Sequence, residues 1–281
     1  MKRIGWINVA LLALVIALAL FAWLRPSAPA ADYKLSTQTP ADAKHIEIAF
    51  GGNPPVMLER AMAGWQLTAP FTARAADFQM QNVLGLLGAT AQEQLPAQHL
   101  ERFELAAPRL RVTIDGQIFA FGAINELTRE QYVLTQNTVY LLRLNYFVAL
   151  PRNVWQLIDR QLFAPNETPV AFDFPDFKLA QQDGKWTLSP PPASELSQDD
   201  FNDWVDNWRL ASALAIQPAS HGKPLAMLKI KLRNGEIKQL AIMQRAPQLV
   251  LARADRPAFE YQFTADAAKR LLTPPGTGTK K

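Results

Sequence analysis

The stretch GWQLTAPFTARAADFQMQNVLGLL, residues 64–87, has a counterpart 121 residues later in KWTLSPPPASELSQDDFNDWVDNW, residues 185–208. Set side by side without a gap, the two stretches share a tryptophan, a leucine two residues on and a proline after that. These positions are Trp65, Leu67 and Pro70 in the first copy and Trp186, Leu188 and Pro191 in the second. Their alternation is typical of a short strand with both tryptophans in a core.

A helix follows the strand in both copies. Apolar residues recur there with the i, i+3, i+4, i+7 spacing of one helix face. They are Met80, Val83, Leu84 and Leu87 in the first copy and Phe201, Trp204, Val205 and Trp208 in the second. Because the helix positions of Trp204 and Trp208 match apolar residues in the other copy, we interpret both as core side chains and not as a stacking surface for a sugar or base.

A repeat with this long a period indicates a duplicated domain and not a solenoid. We therefore predict an α+β protein in which an N-terminal transmembrane helix precedes two tandem, duplicated domains. Each domain is expected to be a mainly antiparallel sheet with one amphipathic helix after the third strand and one terminal helix. The predicted divisions are an anchor (1–25), a spacer rich in Pro, Ala, Ser and Thr (26–40), a first repeat (41–163), a linker (164–169), a second repeat (170–273) and a disordered tail (274–281).

Alternating apolar residues and turn dipeptides locate the remaining strands. In the first repeat we predict strands at 45–50, 55–60, around Trp65, 110–114, 118–121, 131–135 and 139–144, and a closing helix over 151–163. In the second repeat we predict strands at 170–174, 178–181, 185–188, 227–232, 237–243, 249–252 and 259–263, and a helix over 264–272.

The N-terminal segment Ile4–Leu24 holds 21 residues and no charge, and a helix of that length would reach roughly 31 Å, enough to span a bilayer core. Lys2 and Arg3 precede it, so the positive-inside rule predicts a cytoplasmic N-terminus and places the chain after Arg25 outside the cytoplasm. The alternative is a cleaved signal peptide, because Ala28-Pro29-Ala30 resembles a cleavage site.

Composition excludes several classes of function. The formal net charge is +4, but Lys2, Arg3 and Arg25 flank the apolar segment, and without them 26 basic residues face 25 acidic ones. We therefore expect no nucleic acid partner. The chain has no cysteine, which excludes disulfides, thiolate metal sites and a cysteine nucleophile.

Residues that could carry chemistry are sparse. The three histidines, His45, His99 and His221, share no motif, and the local signatures of metalloproteases, serine hydrolases and nucleotide binders are absent from the sequence. The densest acidic cluster is Asp199, Asp200, Asp203 and Asp206. Acids at the start of a helix favour its dipole, so we interpret them as helix-stabilising and not as a cation site. We predict no catalytic, cofactor-binding or metal-binding residues and no cofactor.

A family resemblance rests on several short motifs in the first half. They are Ile46-Glu-Ile48, Trp65-x-Leu67-x-x-Pro70, Ala76-Asp77, Phe103-Glu-Leu105-Ala-Ala-Pro108, Phe121-Gly122, Tyr132-Val133 and Val139-Tyr-Leu-Leu142. Together with the N-terminal anchor they resemble the bacterial domain-of-unknown-function family 4340, over most of residues 36–163 and more faintly beyond. The resemblance implies an envelope protein often encoded near ABC-type export or gliding-related components, and it brings no catalytic residues. Where the family has a Tyr-Gly-Leu-like turn, this chain has Phe103-Glu104-Leu105 and lacks the glycine.

We therefore expect a non-enzymatic, inner-membrane-anchored periplasmic accessory or scaffold protein of an ABC-type envelope transport complex, held in the membrane by residues 4–24 and bound to a protein partner. The first alternative is a periplasmic ligand-binding module with its site between the two repeats. The second is an envelope hydrolase, an alternative that His221 within hydrogen-bonding reach of an acid in a pocket would favour. Function should lie where the copies differ, as in Arg74 against Glu195 and Gly85 against Asp206.

Overall fold

The computed structural model describes residues 2–24, 32–192 and 195–276, and within residues 2–24 it describes side chains only for Trp6 and residues 11–21. Helix α1 covers Lys2–Leu24. Among the residues so described, no helix combines the length and the apolar character needed to cross a membrane. The predicted cleavage site at residues 28–30 lies outside the described residues.

The first half of the described chain is mostly β-structure. Its elements are β1 (Tyr33–Lys34), β2 (His45–Phe50), β3 (Val56–Ala61), β4 (Gly64–Ala69), β5 (Ala73–Arg74), α2 (Asp77–Leu84), β6 (Thr90–Ala91), β7 (Glu93–Pro96), β8 (Leu110–Ile114), β9 (Gln117–Ile124), β10 (Glu130–Thr135), β11 (Thr138–Arg143) and α3 (Leu144–Ala149). Short 3-10 turns cover Gly85–Gly88, Leu100–Phe103 and Val154–Leu157.

The second half follows the same plan. Its elements are β12 (Pro169–Asp173), β13 (Lys178–Gln182), β14 (Lys185–Ser189), α4 (Gln198–Arg209), β15 (Ala215–Pro218), β16 (Ala226–Leu232), β17 (Ile237–Gln244), β18 (Leu249–Arg253), β19 (Phe259–Phe263) and α5 (Ala265–Leu272).

The two large sheets are antiparallel and share a strand order. The nine-stranded sheet runs β5-β4-β3-β2-β8-β9-β10-β11-β7, and the eight-stranded sheet runs β14-β13-β12-β16-β17-β18-β19-β15. In the first sheet the meander β2–β5 pairs with the meander β8–β11, and β7 closes the far edge. In the second sheet the three-stranded meander β12–β14 pairs with the meander β16–β19, and β15 closes the far edge. Strands β1 and β6 form a separate two-stranded sheet. The fold is thus a mixed α and β protein with mostly antiparallel sheets and few helices.

The helix faces and tryptophans lie where the sequence places them. Trp65 and Trp186 are buried, and all eight apolar positions of the two helix faces are buried as well. In α4 the indole nitrogens of Trp204 and Trp208 donate to the carbonyl oxygens of Thr273 and Leu271, at 2.8 and 2.9 Å. The two tryptophans therefore pack in the core and also hold the end of α5.

The predicted helix over residues 151–163 is wrong. The chain instead forms α3 before it, then one 3-10 turn that Asn153 caps by accepting from the Gln156 amide, and then an extended segment. The predicted strand 139–144 accordingly stops at Arg143. Backbone groups of residues 157–162 bond to other strands, so tertiary pairing overrides the local helical pattern.

The spacer predicted over residues 26–40 ends earlier than expected. Residues 26–31 lie outside the described residues, but Tyr33–Lys34 pairs with Thr90–Ala91 and Leu35 is fully buried. The buried side chain of Gln117 accepts from Ser36 at 2.7 Å and donates to the Leu35 carbonyl at 2.8 Å. This part of the spacer packs against the fold because the Leu35 side chain is buried in the core and because Ser36 and the Leu35 carbonyl form hydrogen bonds with the buried side chain of Gln117. At the other end of the chain, Pro275 of the predicted tail is buried, and residues 277–281 lie outside the described residues.

Candidate functional site

The two sheets meet along an extended stretch, residues 157–162, which we call the crossing segment. Its first half pairs with the first sheet, where the Ala76 amide donates to the Leu157 carbonyl at 2.8 Å and the Asp159 amide donates to the Arg74 carbonyl at 2.9 Å. Its second half pairs with residues 211–213, which lead into β15 of the second sheet: the Leu162 amide donates to the Ala211 carbonyl and the Ala213 amide to the Arg160 carbonyl. One strand-like segment therefore joins both sheets.

A cleft of about 590 Å³ opens beside the crossing segment. The start of α2, the end of α3, the 3-10 turn at Val154–Leu157 and β15 form its walls. Three large apolar side chains on its border are exposed to solvent, Phe78 at 69%, Val148 at 57% and Leu214 at 51%. Exposed apolar side chains that border one concavity are typical of a binding surface.

The charge of the cleft comes from two arginines. Arg152 and Arg160 both line it and both are exposed, and none of the described lining side chains is acidic. The Arg160 guanidinium donates to the Leu214 carbonyl at 3.2 Å, and the Arg152 guanidinium carbon lies 5.9 Å from the centre of the Phe147 ring. These contacts orient the arginines without neutralising them, so the cleft is electropositive.

Gln79 adds a polar group to the same cleft. Its side-chain oxygen Oε1 is buried and has no hydrogen-bond donor among the described residues. Buried amide oxygens nearly always accept a hydrogen bond, so this atom is suited to accept one from a bound group or from water.

The strand β15 lies at the edge of the eight-stranded sheet, beside the cleft. It closes the eight-stranded sheet and pairs with β19 on one side. On the other side the crossing segment pairs with residues 211–213, and the 3-10 turn at Val154–Leu157 packs against β15 itself. Ala215 and Ile216 of β15 line the cleft. Segments of the first half therefore cover this edge of the second sheet.

A buried ion network fixes the connection between the two halves. Arg253, whose side chain is fully buried, contacts the carboxylates of Glu167 and Asp255 and the carbonyl oxygen of Leu162. Lys238 lies 3.3 Å from Glu167 and 3.4 Å from Asp255. The stretch predicted as a linker is therefore anchored to β17 and β18 through Glu167.

The ion network lowers the pKa values of its two acids, Glu167 and Asp255. Burial raises the pKa of the Glu167 carboxyl, but the hydrogen bonds and positive charge of Arg253 outweigh burial and hold this pKa at about 2. For Asp255 the same balance of burial against Arg253 gives a pKa of about 2. Both acids are thus charged throughout the physiological pH range, which is typical of structural ion pairs and not of a general acid or base.

Arg74, one of the positions where the copies differ, lies at the junction of the sheets. Its Nη2 atom lies 3.0 Å from the Asp159 carboxylate and donates to the Gln161 carbonyl at 2.9 Å. Its Nε and Nη1 atoms are buried without a hydrogen-bond acceptor among the described residues, and burial lowers its pKa. Its counterpart Glu195 lies away from it, in a groove between α4 and α5.

The other position of difference carries no comparable feature. Gly85 begins a 3-10 turn with open space around its Cα, and its counterpart Asp206 pairs with Arg209 at 2.9 Å. Of the two positions at which the copies were expected to differ in function, the Arg74 position therefore lies at the junction of the sheets, whereas Gly85 and Asp206 make no comparable contacts.

The histidines do not assemble a catalytic site. His221 is exposed and contacts no acid among the described residues, although its neighbour Ser220 donates to the buried carboxylate of Glu260 at 2.6 Å. His45 and His99 are also exposed, and each lies near a glutamate, at 4.0 and 3.6 Å. The condition that would have favoured a hydrolase, a histidine close to an acid in a pocket, is not met in the described part of the chain.

Two acids of the cluster in α4, Asp199 and Asp200, stabilise the start of the helix. Asp200 forms a capping box with Ser197, and Asp199 lies in the first turn beside it. Within the described ranges, no group of three or more potential ligands is placed to hold a metal ion.

The cleft, in contrast, could not be found from the sequence, because Phe78, Val148 and Leu214 come from three distant segments without a shared motif.

Comparison with protein families gives one match. The family described as "Domain of unknown function (DUF4340)" matches residues 65–226. The match begins at Trp65 and continues through α4 and β15, so it extends further into the second half than the short motifs indicated. Comparisons with curated proteins and with solved structures return no match.

Proposed function

The chain belongs to the DUF4340 family, and on that premise we propose that it is a non-enzymatic accessory or scaffold protein of the bacterial cell envelope, which binds a protein partner in the cleft between its two sheets. The observation that carries the proposal is the cleft itself. It combines exposed apolar side chains with two arginines that have no acidic neighbour in the described lining. Such a surface suits binding and supplies no nucleophile, base or metal ligands.

The membrane anchor is part of the proposal. Support comes from the uncharged sequence Ile4–Leu24, from the helical backbone of α1 and from the exposure of its described side chains between Leu11 and Phe21. A phosphatase reporter that works only outside the cytoplasm, fused after Lys281, should be active. Activity of a cytoplasm-dependent reporter at the same position would contradict the orientation.

The proposal also includes a duplicated domain. The shared strand order of the two sheets and the two buried tryptophans at matching strand positions support it. In this arrangement the cleft lies between the two copies, so neither copy alone would form it.

Photo-crosslinking tests the partner. A benzoylphenylalanine in place of Phe78 in the full-length protein, expressed in its native cells, should crosslink to one envelope protein. The matched control places the same residue at Met62, which is fully exposed in a turn and does not line the cleft. Equal crosslinking from both positions, or none from Phe78, would contradict partner binding in the cleft.

A second candidate, a small-ligand-binding module, is favoured by the cleft volume and by Gln79. A volume of about 590 Å³ falls in the range of sites for small molecules, roughly 300–1,000 Å³, and the Gln79 oxygen lacks a donor. A metabolite that raises the melting temperature of the wild type but not of Gln79→Leu would favour this function.

A further inference from the structure

The groups around the cleft specify the conformation and the charge of the partner segment that enters it. Resting on the proposed function, we propose that this segment is a short amphipathic helix of the partner protein. The helix turns one face towards the cleft and carries apolar residues along the middle of that face and acidic residues at its two margins.

The wall formed by β15 disfavours an extended occupant. The Leu214 amide donates to the carbonyl of Gln262 at 2.7 Å, and Arg160 donates to the Leu214 carbonyl at 3.2 Å. The 3-10 turn at Val154–Leu157 packs against the edge of β15 itself. A partner strand therefore has no room along this edge.

The wall at the end of α3 is hydrogen-bonded within the chain in the same way. The Ala149 carbonyl accepts from Asn82 at 3.1 Å, and the Arg152 amide donates to the side-chain oxygen of Gln156 at 2.8 Å. Because the backbone on both walls is already paired, a segment that enters the cleft must satisfy its own backbone groups. A helix does so along its length, and a helix face laid into a groove is a recurrent mode of recognition.

The side chains around the cleft give the pattern on that helix face. Phe78, Val148 and Leu214 are exposed apolar side chains of the lining. Arg152 and Arg160 are exposed and border the same concavity. An occupant must therefore present apolar and acidic groups on one side. Residues three and four apart on a helix lie on one side, whereas successive residues of a strand do not.

The positions of the two arginines place the acids at both margins of the face. The Arg152 guanidinium carbon lies 5.9 Å from the centre of the Phe147 ring of α3. The Arg160 guanidinium, in contrast, bonds to Leu214 just before β15. None of the described lining side chains is acidic. Glu or Asp at both margins would pair with the arginines, whereas Lys or Arg would meet uncompensated like charge.

Matched peptides test the inference directly. The probe is a fluorescein-labelled peptide of sequence AQLAAELAQLEAALQA, whose leucines form one helix face and whose glutamates flank it. The control AQLAEALAQLAEALQA has the same composition with the glutamates on the opposite face, and AQLAAKLAQLKAALQA has the opposite charge. Full-length protein is titrated at one fixed concentration of mild detergent, and binding is followed by fluorescence anisotropy. Both controls should bind about tenfold more weakly than the probe, the order of loss expected for two ion pairs at the border of an interface.

Charge reversal on the protein supplies the second arm. The double variant Arg152→Glu/Arg160→Glu should lose about tenfold in affinity for the probe and should prefer the lysine peptide. The control Lys229→Glu/Lys231→Glu makes the same change of charge at two exposed positions of β16 outside the cleft and should bind as the wild type does. All proteins are measured in the same detergent, so partition of the peptides into micelles is the same for each. An unchanged melting temperature establishes that each variant is folded, and an unchanged peptide preference of the cleft variant would overturn the inference.

The helical conformation is tested on the peptide, so that the protein stays intact. The peptide AQLAAELPQLEAALQA keeps every leucine and glutamate of the probe, but its central proline breaks the helix. We expect binding to be lost. An affinity equal to that of the probe would refute a helical occupant.

Crosslinking from position 78 separates this inference from the proposed function. If the benzoylphenylalanine that replaces Phe78 crosslinks to an envelope protein but the crosslinked segment is not an acidic amphipathic helix, the inference fails and partner binding stands. If it crosslinks to no envelope protein, both fail.

Discussion

Arg253 donates through Nη1 and Nη2 to the two carboxylate oxygens of Glu167, at 3.0 and 2.9 Å. The arginine belongs to β18 and the glutamate to the stretch between the halves, so a paired fork of hydrogen bonds fixes that stretch on the second sheet. The connection is thus part of the folded unit and not a free tether.

Glu167→Gln should destabilise the protein by about 3 kcal/mol or more, because it leaves the buried Arg253 charge with too few acidic partners. Chemical denaturation measures the free energy of unfolding. The control is Glu236→Gln, which removes an exposed partner of the same Lys238 and should change stability little. Equal effects of the two variants would show that Lys238, and not Arg253, is the main partner of Glu167.

Acid should destabilise the protein through the same network. Glu167 has a pKa of about 2 in the folded state and 4.5 as its ordinary value, so its contribution is complete above pH 4.5 and is lost as the pH falls towards 2. Asp255, at about 2 against 3.8, acts in the same direction. Melting temperatures measured from pH 6 to pH 2 should therefore fall less steeply for Glu167→Gln than for the wild type. Parallel curves would mean that Glu167 is not the group that titrates.

Gly122→Ala should cost about 1 to 3 kcal/mol, the usual range for forcing an extra methyl group into a packed site. A methyl group on Gly122 would collide with the carbonyl oxygen of Phe103 and come within 2.8 Å of the Leu105 side chain. Gly88→Ala is the matched control, since a methyl group there meets open space. Denaturation curves for both variants test this close approach of β9 to the loop before β8.

Glu104→Gly should stabilise the protein by about 0.5 to 1 kcal/mol, because Glu104 adopts a left-handed backbone conformation that costs a residue with a Cβ atom. Its φ is 56°, at the position where the resemblance led us to expect a glycine. Its ion pair with Arg109, at 3.6 Å and exposed, contributes little. Glu101→Gly, in the adjoining 3-10 turn, should not stabilise the protein, and a gain there as large as at Glu104 would refute the conformational explanation.

The sequence by itself determined the mixed α and β class, the mostly antiparallel sheets and many of the individual elements. The spacing of apolar residues located both amphipathic helix faces, and the strands at residues 45–50, 110–114 and 259–263 were predicted to the residue. It succeeded there because each of these strands pairs with a chain neighbour across a hairpin and each helix bonds within itself, so that local periodicity and turn residues such as Asp115-Gly116 indicate the element.

Tertiary structure alone decided the junction of the two halves. Residues 157–162 carry a helical pattern, yet their backbone groups pair with residues 74–76 of the first half and residues 211–213 of the second, and no local signal specifies that choice. The cleft depends on the same junction, because Phe78, Val148 and Leu214 belong to distant segments that meet only when the sheets are joined. Periodicity reports which face of an element is buried, whereas the contacts that bring distant elements together are properties of the assembled fold.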